Sequence, residues 1–282
     1  MDLRSHAFLI ASLTFGSGCA AIGVQRTDPA LYPEPARDAI TFWGHASAYI
    51  DVGGFGIVTD PVFSKGYALI RRRIIPAPPP GAYDQSRVVL ISHAHQDHLD
   101  PATLARFPRG VVILAPAPSV AYLRARGFEA RVMRPGSEFP IPGGVIVAVA
   151  ARHPGGRTSL KARADGRALG YVIETTNSTI YYSGDTEPFS GLADVGARYH
   201  PDVALLNVNV HLPPTAAIAA TVDLGMPHVI PIHRGAYDVG TRRLEGDWIA
   251  EMSAALGPMV VPLEVGESYP LPHAVVRAGA GR

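Results

Sequence analysis

The sequence predicts an α/β chain of the α+β type: two mixed β-sheets packed together, helices outside, within one domain. Three observations predict it. Between residues 38 and 58, short apolar runs alternate with turn residues as in a meander; after residue 88, strand-length apolar runs alternate with helix-length segments. The chain has 282 residues, 47% hydrophobic and 17% charged, which suits a compact core and excludes a disordered or fibrous chain. No repeat and no second domain boundary follows residue 38, so residues 38–282 read as one unit.

The first 19 residues stand apart. Arg4 precedes an uncharged apolar stretch from Ala7 to Phe15, too short to span a membrane comfortably, and Gly16-Ser17-Gly18-Cys19 follows. That layout is signal-like. Cys19, the single cysteine, falls where a bacterial lipoprotein signal places its lipidated residue. The expectation is a chain tethered through Cys19 to the cell-envelope membrane or released into the periplasm; a cytoplasmic protein with an ordinary extension is the alternative. Residues 20–37, with Pro29, Pro33 and Pro35, read as a linker.

The folded elements then follow in order. Ile40 and Phe42, Ala48 and Ile50, then Ile57 and Val58 mark short strands, and Gly53-Gly54 is a two-residue hairpin signal. The Pro-rich stretch Lys65 to Tyr83 is too irregular for a regular element and reads as an excursion loop. Val88 to Ile91 is a strand. Asp100-Pro101 supplies an N-cap and a first-turn proline for a helix through about Phe107. A second strand and helix follow, Val111 to Leu114 and Ser119 to Arg126, stopped by Gly127. Further strands are expected at Val145 to Ala151, Leu169 to Glu174, Thr179 to Tyr182 and Val203 to Val208. Helix Pro214 to Leu224, strand Val229 to Ile232, helix Thr241 to Ala255 and a strand near Val260 complete the chain.

The chemistry is concentrated at residues 93–98, His-Ala-His-Gln-Asp-His, immediately after an apolar strand. A lone buried histidine is usually satisfied by ordinary hydrogen bonds. Three imidazoles and a carboxylate packed this closely would repel and desolvate one another unless a cation held them. The segment reads as a metal site. Other metal-competent residues also sit just past strands: His153, Asp185 in Ser183-Gly184-Asp185-Thr186, and His233. Each alone reads equally as a turn or cap residue; their shared placement argues for convergence. Gly184 would permit close backbone approach beside Asp185.

Three more residues carry paired readings. Asp60 is a turn residue before Pro61 or a carboxylate that orients a ligand imidazole. His211 is a loop histidine or a proton donor to a leaving group. His45 is a turn residue or part of the pocket wall. His6, His200, His228 and His273 have no motif around them. Arg71-Arg72-Arg73 reads as a solvated loop, with a steering patch for phosphate headgroups as its functional alternative. The net charge of +1 gives no reason to expect nucleic acid as a partner. With cysteine only at position 19, intrachain disulfides and thiolate ligands in the domain are excluded.

From residue 38 to about 268 this ordered set resembles the metallo-β-lactamase superfamily. The resemblance implies an αββα sandwich with its site at the edge between the sheets. It implies that His93, His95 and His153 hold one metal, that Asp97, His98 and His233 hold the second, and that Asp185 bridges them. Two zinc ions are expected, with iron or manganese compatible with the same donors. Trp43-Gly44-His45-Ala46-Ser47, Thr59-Asp60-Pro61, His211-Leu212-Pro213-Pro214 and His233-Arg234-Gly235-Ala236-Tyr237 look like the branch containing N-acylphosphatidylethanolamine-hydrolysing phospholipase D. Ascorbate-6-phosphate lactonase belongs to a neighbouring branch. Arg234 departs from the tryptophan usual there.

The implied activity is hydrolysis by a metal-held hydroxide, with Asp97 and His211 as catalytic residues. A phosphodiester or phospholipid-type ester is the expected substrate. Lactone or other acyl-bond hydrolysis is the alternative on the same fold; a redox di-iron protein and a non-catalytic envelope protein are weaker ones.

Overall fold

A computed structural model describes residues 30–67, 71–157, 163, 165–238 and 242–272. The predicted leader and Cys19 lie outside them. The chain opens with three strands, β1 (Ala39–Gly44), β2 (Ser47–Val52) and β3 (Phe55–Thr59), paired antiparallel as a meander. Gly53 and Gly54 both take positive φ, 60° and 85°, in the tight turn joining β2 to β3. Asp51 Oδ1 accepts from Gly54 N and from Asp38 N, which pins that hairpin to the start of β1.

Residues 65–83 are more regular than the sequence predicts. They contain β4 (Gly66–Tyr67), β5 (Arg71–Arg73) and a 3₁₀ turn at Pro80–Tyr83. Arg73 is buried rather than solvated. Its guanidinium donates to the carbonyls of Val62 and Ile75 at 2.9 and 3.1 Å and lies over the rings of Phe63 and Tyr237. Neither the solvated loop nor the steering patch describes it. Part of the stretch read as a linker also joins the fold, because Tyr32 is buried and its hydroxyl donates to Pro76 O.

Next come β6 (Ser86–Leu90), α1 (Pro101–Leu104), β7 (Val112–Pro116), α2 (Ala117–Arg124) and β8 (Arg131–Met133). The Asp100 side chain accepts from Ala102 N, the predicted cap. Helix α1 ends three residues earlier than expected. The second half holds β9 (Glu138–Ile141), β10 (Gly144–Ala150), β11 (Leu169–Thr175), β12 (Thr179–Tyr182), α3 (Gly191–Tyr199), β13 (Val203–Asn207), α4 (Pro214–Asp223) and β14 (His228–Ile232). It closes with β15 (Tyr237–Asp238), α5 (Arg242–Leu256) and β16 (Ser268–Pro270). Val260 makes only an isolated bridge to Val229; the last strand is β16, which pairs with β1.

Among the described residues the strands form a seven-stranded sheet, β16-β1-β2-β3-β6-β7-β8, a six-stranded sheet, β14-β13-β12-β11-β10-β9, and a small β15-β5-β4 sheet. Alternation along each strand builds the layers. Val88 and Leu90 of β6 join Ile40, Phe42 and Ile50 in the core between the sheets, against Ile146, Tyr171, Ile173 and Leu205. Val89 and Ile91 point the other way, to Leu104, Val120 and Leu123 on the helix side. On the far face, Val172, Ala204 and Leu206 pack against Leu192, Ala217, Ala220 and Met252 from α3, α4 and α5. Each such large side chain, fully buried, contributes about 1.5–3 kcal/mol, so the four layers hold together through apolar area. No described helix is long and apolar enough to cross a membrane.

Candidate metal centre

Strand directions determine where the site forms. In the first sheet β2 runs antiparallel to β1 and β3, and β3, β6 and β7 are parallel. In the second, β10 and β12 both run antiparallel to β11, and β12, β13 and β14 are parallel. The carboxyl ends of β1, β3 and β6 therefore share one edge, as do those of β10, β12, β13 and β14. The two edges meet, and the residues just past these strands are His45, Asp60, His93 to His98, His153, Asp185, Asn209 with His211, and His233.

Backbone strain helps to bring them in. His45, Asp60 and His233 adopt positive φ of 57°, 29° and 68°, a conformation costing about 1–3 kcal/mol for a residue with a side chain. Paired hydrogen bonds hold two of them: His233 N donates to His45 O, and His45 N to Arg234 O, each at 2.7 Å. This cross-tie joins one sheet to the other at the floor of the site. Arg234 serves it too, donating to Leu263 O and Pro231 O over the Phe42 ring. Gly184 (φ 56°) brings the Asp185 loop against the 92–93 turn; a Cβ there would stand 2.5 Å from Ser92 Cβ.

Four groups of donor atoms lie within 4.8 Å among the described residues; the two that matter here are His93, His95 and His153, and His45, Asp97, His98 and His233, the others being Asp60, His93 and His98, and His153, Glu187 and His211. Asp185 stands between the first two. Its Oδ2 is 3.9 Å from His153 Nε2, 3.5 Å from His98 Nε2 and 3.2 Å from His233 Nε2. Asp97 Oδ2 is 3.4 Å from His45 Nε2 and 3.6 Å from His233 Nε2. His211 lies at the mouth, its ring 4.7 Å edge-on from that of His153 and its Nδ1 3.7 Å from Glu187 Oε1. Every residue singled out for the site is brought to this edge. His200 and His228 are elsewhere, one closing α3 and the other starting β14, while His6 and His273 lie outside the described residues.

Asp60 is fully buried and joins both sheets. Its Oδ1 accepts from Ser92 N at 2.7 Å; its Oδ2 meets His98 Nδ1 at 2.6 Å, the Tyr182 hydroxyl at 2.5 Å and the Ser92 hydroxyl. With Nδ1 engaged there, His98 turns Nε2 toward Asp185 and Asp97.

The electrostatics show why something positive belongs here. Burial, with the His98, His153 and His95 imidazoles adding to it, holds the His93 pKa well below its usual range. Burial likewise lowers His153 to about 3. For His98 burial opposes charge, but Asp185, Asp97 and Asp60 outweigh it and raise the pKa well above the ordinary value. His233 rises to about 9 the same way, burial being overcome chiefly by Asp185 and then Asp97. Burial would raise Asp97 and Asp185, yet the surrounding imidazoles hold both well below the usual carboxylate range. The buried nitrogens His93 Nε2, His98 Nε2 and His233 Nε2 have no hydrogen-bond partner. Buried imidazole nitrogens left without a hydrogen bond beside two carboxylates are what a cation pair would satisfy, so the donor set fits divalent metal.

Comparison with known proteins agrees. The beta-lactamase superfamily domain matches residues 56–234, more than half of the chain. The chain belongs to the metallo-β-lactamase superfamily. This superfamily member is 29% identical over 204 residues to a UPF0173 metal-dependent hydrolase of Exiguobacterium sp., covering 69% of this chain and 84% of that one. It is 27% identical over 255 residues to one of Myxococcus xanthus, covering 84% and 88%. In structure it is similar to Igni18, a metallo hydrolase from Ignicoccus hospitalis (TM-score 0.63, 24% identity, 82% and 97% covered), a likeness of fold.

Several site residues of this metallo-β-lactamase-fold chain escape sequence reasoning. Ser92 and Tyr182 complete the Asp60 network, and Glu187 pairs with His211 and, at 3.7 Å, with Arg152. Arg157 donates to the carbonyls of Ala94, His95 and Leu99 and so braces the 93–98 loop from outside. Ser92 adjoins the motif and Glu187 lies two residues past Asp185; proximity was their only signal. Arg157, on a distant loop, gave none.

Proposed function

We propose that this metallo-hydrolase of the metallo-β-lactamase superfamily holds two zinc ions and cleaves a phosphodiester of the phospholipid-headgroup type. In this reading His93, His95 and His153 hold one ion, Asp97, His98 and His233 the other, and Asp185 both. The observation that carries it is the place of Asp185 Oδ2, within 3.9 Å of imidazole nitrogens from both groups. Imidazole and carboxylate donors without sulfur suit zinc, and iron or manganese would take the same donors. Bound there, the ions would supply a water ionised near neutral pH and polarise the ester oxygen.

The chain's own residues do the rest. Asp97 and Asp185 offset roughly half of the charge of two divalent ions, so the site favours an anionic ester and the negative charge that develops on it. Asp60 keeps His98 oriented, and His45 steadies Asp97 from the opposite side. His211, its side chain 37% exposed at the mouth, gives a proton to the departing oxygen. The substrate class rests on the motifs shared with the phospholipase branch, Trp43 to Ser47 and His211 to Pro214.

A metal-replete screen over bis(p-nitrophenyl) phosphate, phospholipids and simple lactones tests this, with Asp97→Ala as control. Phosphate monoester should appear, stop on chelation, and fall at least about 10²-fold in the control. Turnover of lactones with none of phosphodiesters would overturn the phosphodiester assignment and favour acyl-bond hydrolysis. Attachment through Cys19 to the bacterial cell envelope belongs to the same proposal. Labelling with a palmitate analogue should mark the wild-type chain and spare Cys19→Ala; equal labelling of both would remove it.

A further inference from the structure

Resting on the two-cation reading, we propose that Asn209 is a positioning residue that fixes the Asp185 carboxylate and the His211 turn with the two ends of one side chain. Asn209 is 7% exposed and sits two residues past the end of β13, in the turn leading to His211. Its Oδ1 accepts from His211 N at 2.8 Å, from Leu212 N at 3.3 Å and from Asn207 Nδ2 at 3.3 Å. Backbone N–H groups can only donate, so the oxygen of this amide must face them, and its orientation follows without choice. The nitrogen then necessarily faces Asp185, donating to Oδ1 at 3.1 Å.

The consequence is a division of labour within Asp185. Oδ1 is engaged by a neutral donor, in a charge-assisted bond of the stronger kind. Oδ2 is left as the oxygen nearest three imidazole nitrogens. Asn207 supports the same loop from behind: its Oδ1 accepts from Ser183 Oγ and Thr186 N, and its Nδ2 donates to Thr186 O. Asn209 therefore couples the carboxylate between the cation positions to the turn that presents His211 at the mouth.

Two variants of the full chain separate the ends. Asn209→Ala removes both. Asn209→Ser keeps a short acceptor for the turn amides and is too short to reach Asp185. The readouts are zinc affinity by chelator competition and hydrogen exchange of the His211 amide. With alanine, zinc affinity should fall about 10- to 100-fold and exchange at the His211 amide should quicken about tenfold, while Leu212 N keeps its bond to the Asn209 backbone carbonyl. With serine, zinc affinity should fall as far while the His211 amide stays protected. Wild-type affinity in the alanine variant, or full recovery of affinity in the serine variant, overturns the proposal alone. A wild-type chain that takes up no zinc overturns the functional reading and this proposal together.

Discussion

Asp60 makes four contacts from a fully buried carboxylate, one of them to a residue of the other sheet, Tyr182. Removing it takes the carboxylate partner from two hydroxyls, an amide and an imidazole at once. Asp60→Ala should cost about 3–5 kcal/mol in denaturant unfolding of the metal-free chain, the cost of breaking a buried charged network. Asp60→Asn, of the same shape, should fold, but with its oxygen facing Ser92 N its amide nitrogen faces His98 Nδ1 and denies that nitrogen an acceptor. Its zinc affinity should fall about 10- to 100-fold by chelator competition. An asparagine variant with unchanged affinity would mean that His98 does not depend on this contact. The sequence pointed to Asp60 as a carboxylate orienting an imidazole, but it could not say which one. That choice depends on β3 and β6 being parallel neighbours, a tertiary fact.

At the scale of elements, Gly184 is the joint between sheets. It has positive φ, and an added methyl would meet Ser92 Cβ at 2.5 Å and the Leu169 carbonyl at 3.0 Å. Gly184→Ala should therefore push the Asp185 loop off the 92–93 turn, destabilising the fold by about 1–3 kcal/mol and weakening zinc binding more than stability. Equal losses in thermal unfolding and in metal titration would reduce it to an ordinary packing residue. The elements legible in sequence were those whose signal is local. β6 and β12 show unbroken apolar runs, the β2–β3 hairpin has its Gly pair, and α1 and α4 open on proline. The missed ones carry contrary cues. β9 contains Pro140, tolerated because it is an edge strand. Helix α3 contains Gly191 and Gly196, poor helix formers; a side chain at 196 would strike the Asp223 carbonyl of α4, so packing demands glycine where propensity forbids it. β8 and β16 are three residues long and exist only through their neighbours. Buried Arg73 misled for the same reason: a run of arginines reads as solvated until the tertiary carbonyls that receive it are known.

For the whole molecule, the cluster makes stability depend on pH in two directions. His45, His93 and His153 have lowered pKa values in the fold, first through burial, with His45 and His153 near 3. Their contribution is fully present above the unfolded value of about 6.5 and is lost as pH falls toward the folded one. His98 and His233 have raised values, His233 about 9. Theirs is present below about 6.5 and is lost as pH rises through 9. The metal-free chain should thus be most stable near pH 6.5 and weaken to either side, measured by denaturant midpoint in the presence of chelator. A curve flat from pH 5 to 9 would contradict the charges assigned to the cluster. Metal removes the alkaline loss by replacing those protons, and zinc at about 100 times its dissociation constant adds roughly 2.7 kcal/mol.

The claim on which the rest depends is that seven strand ends, from both sheets, converge on two cations sharing Asp185. Anomalous diffraction at the zinc absorption edge, on crystals grown with zinc, tests it most directly. The account predicts two peaks, one against His93, His95 and His153, the other against Asp97, His98 and His233, each within reach of Asp185. A single peak, or none touching Asp185, would contradict it.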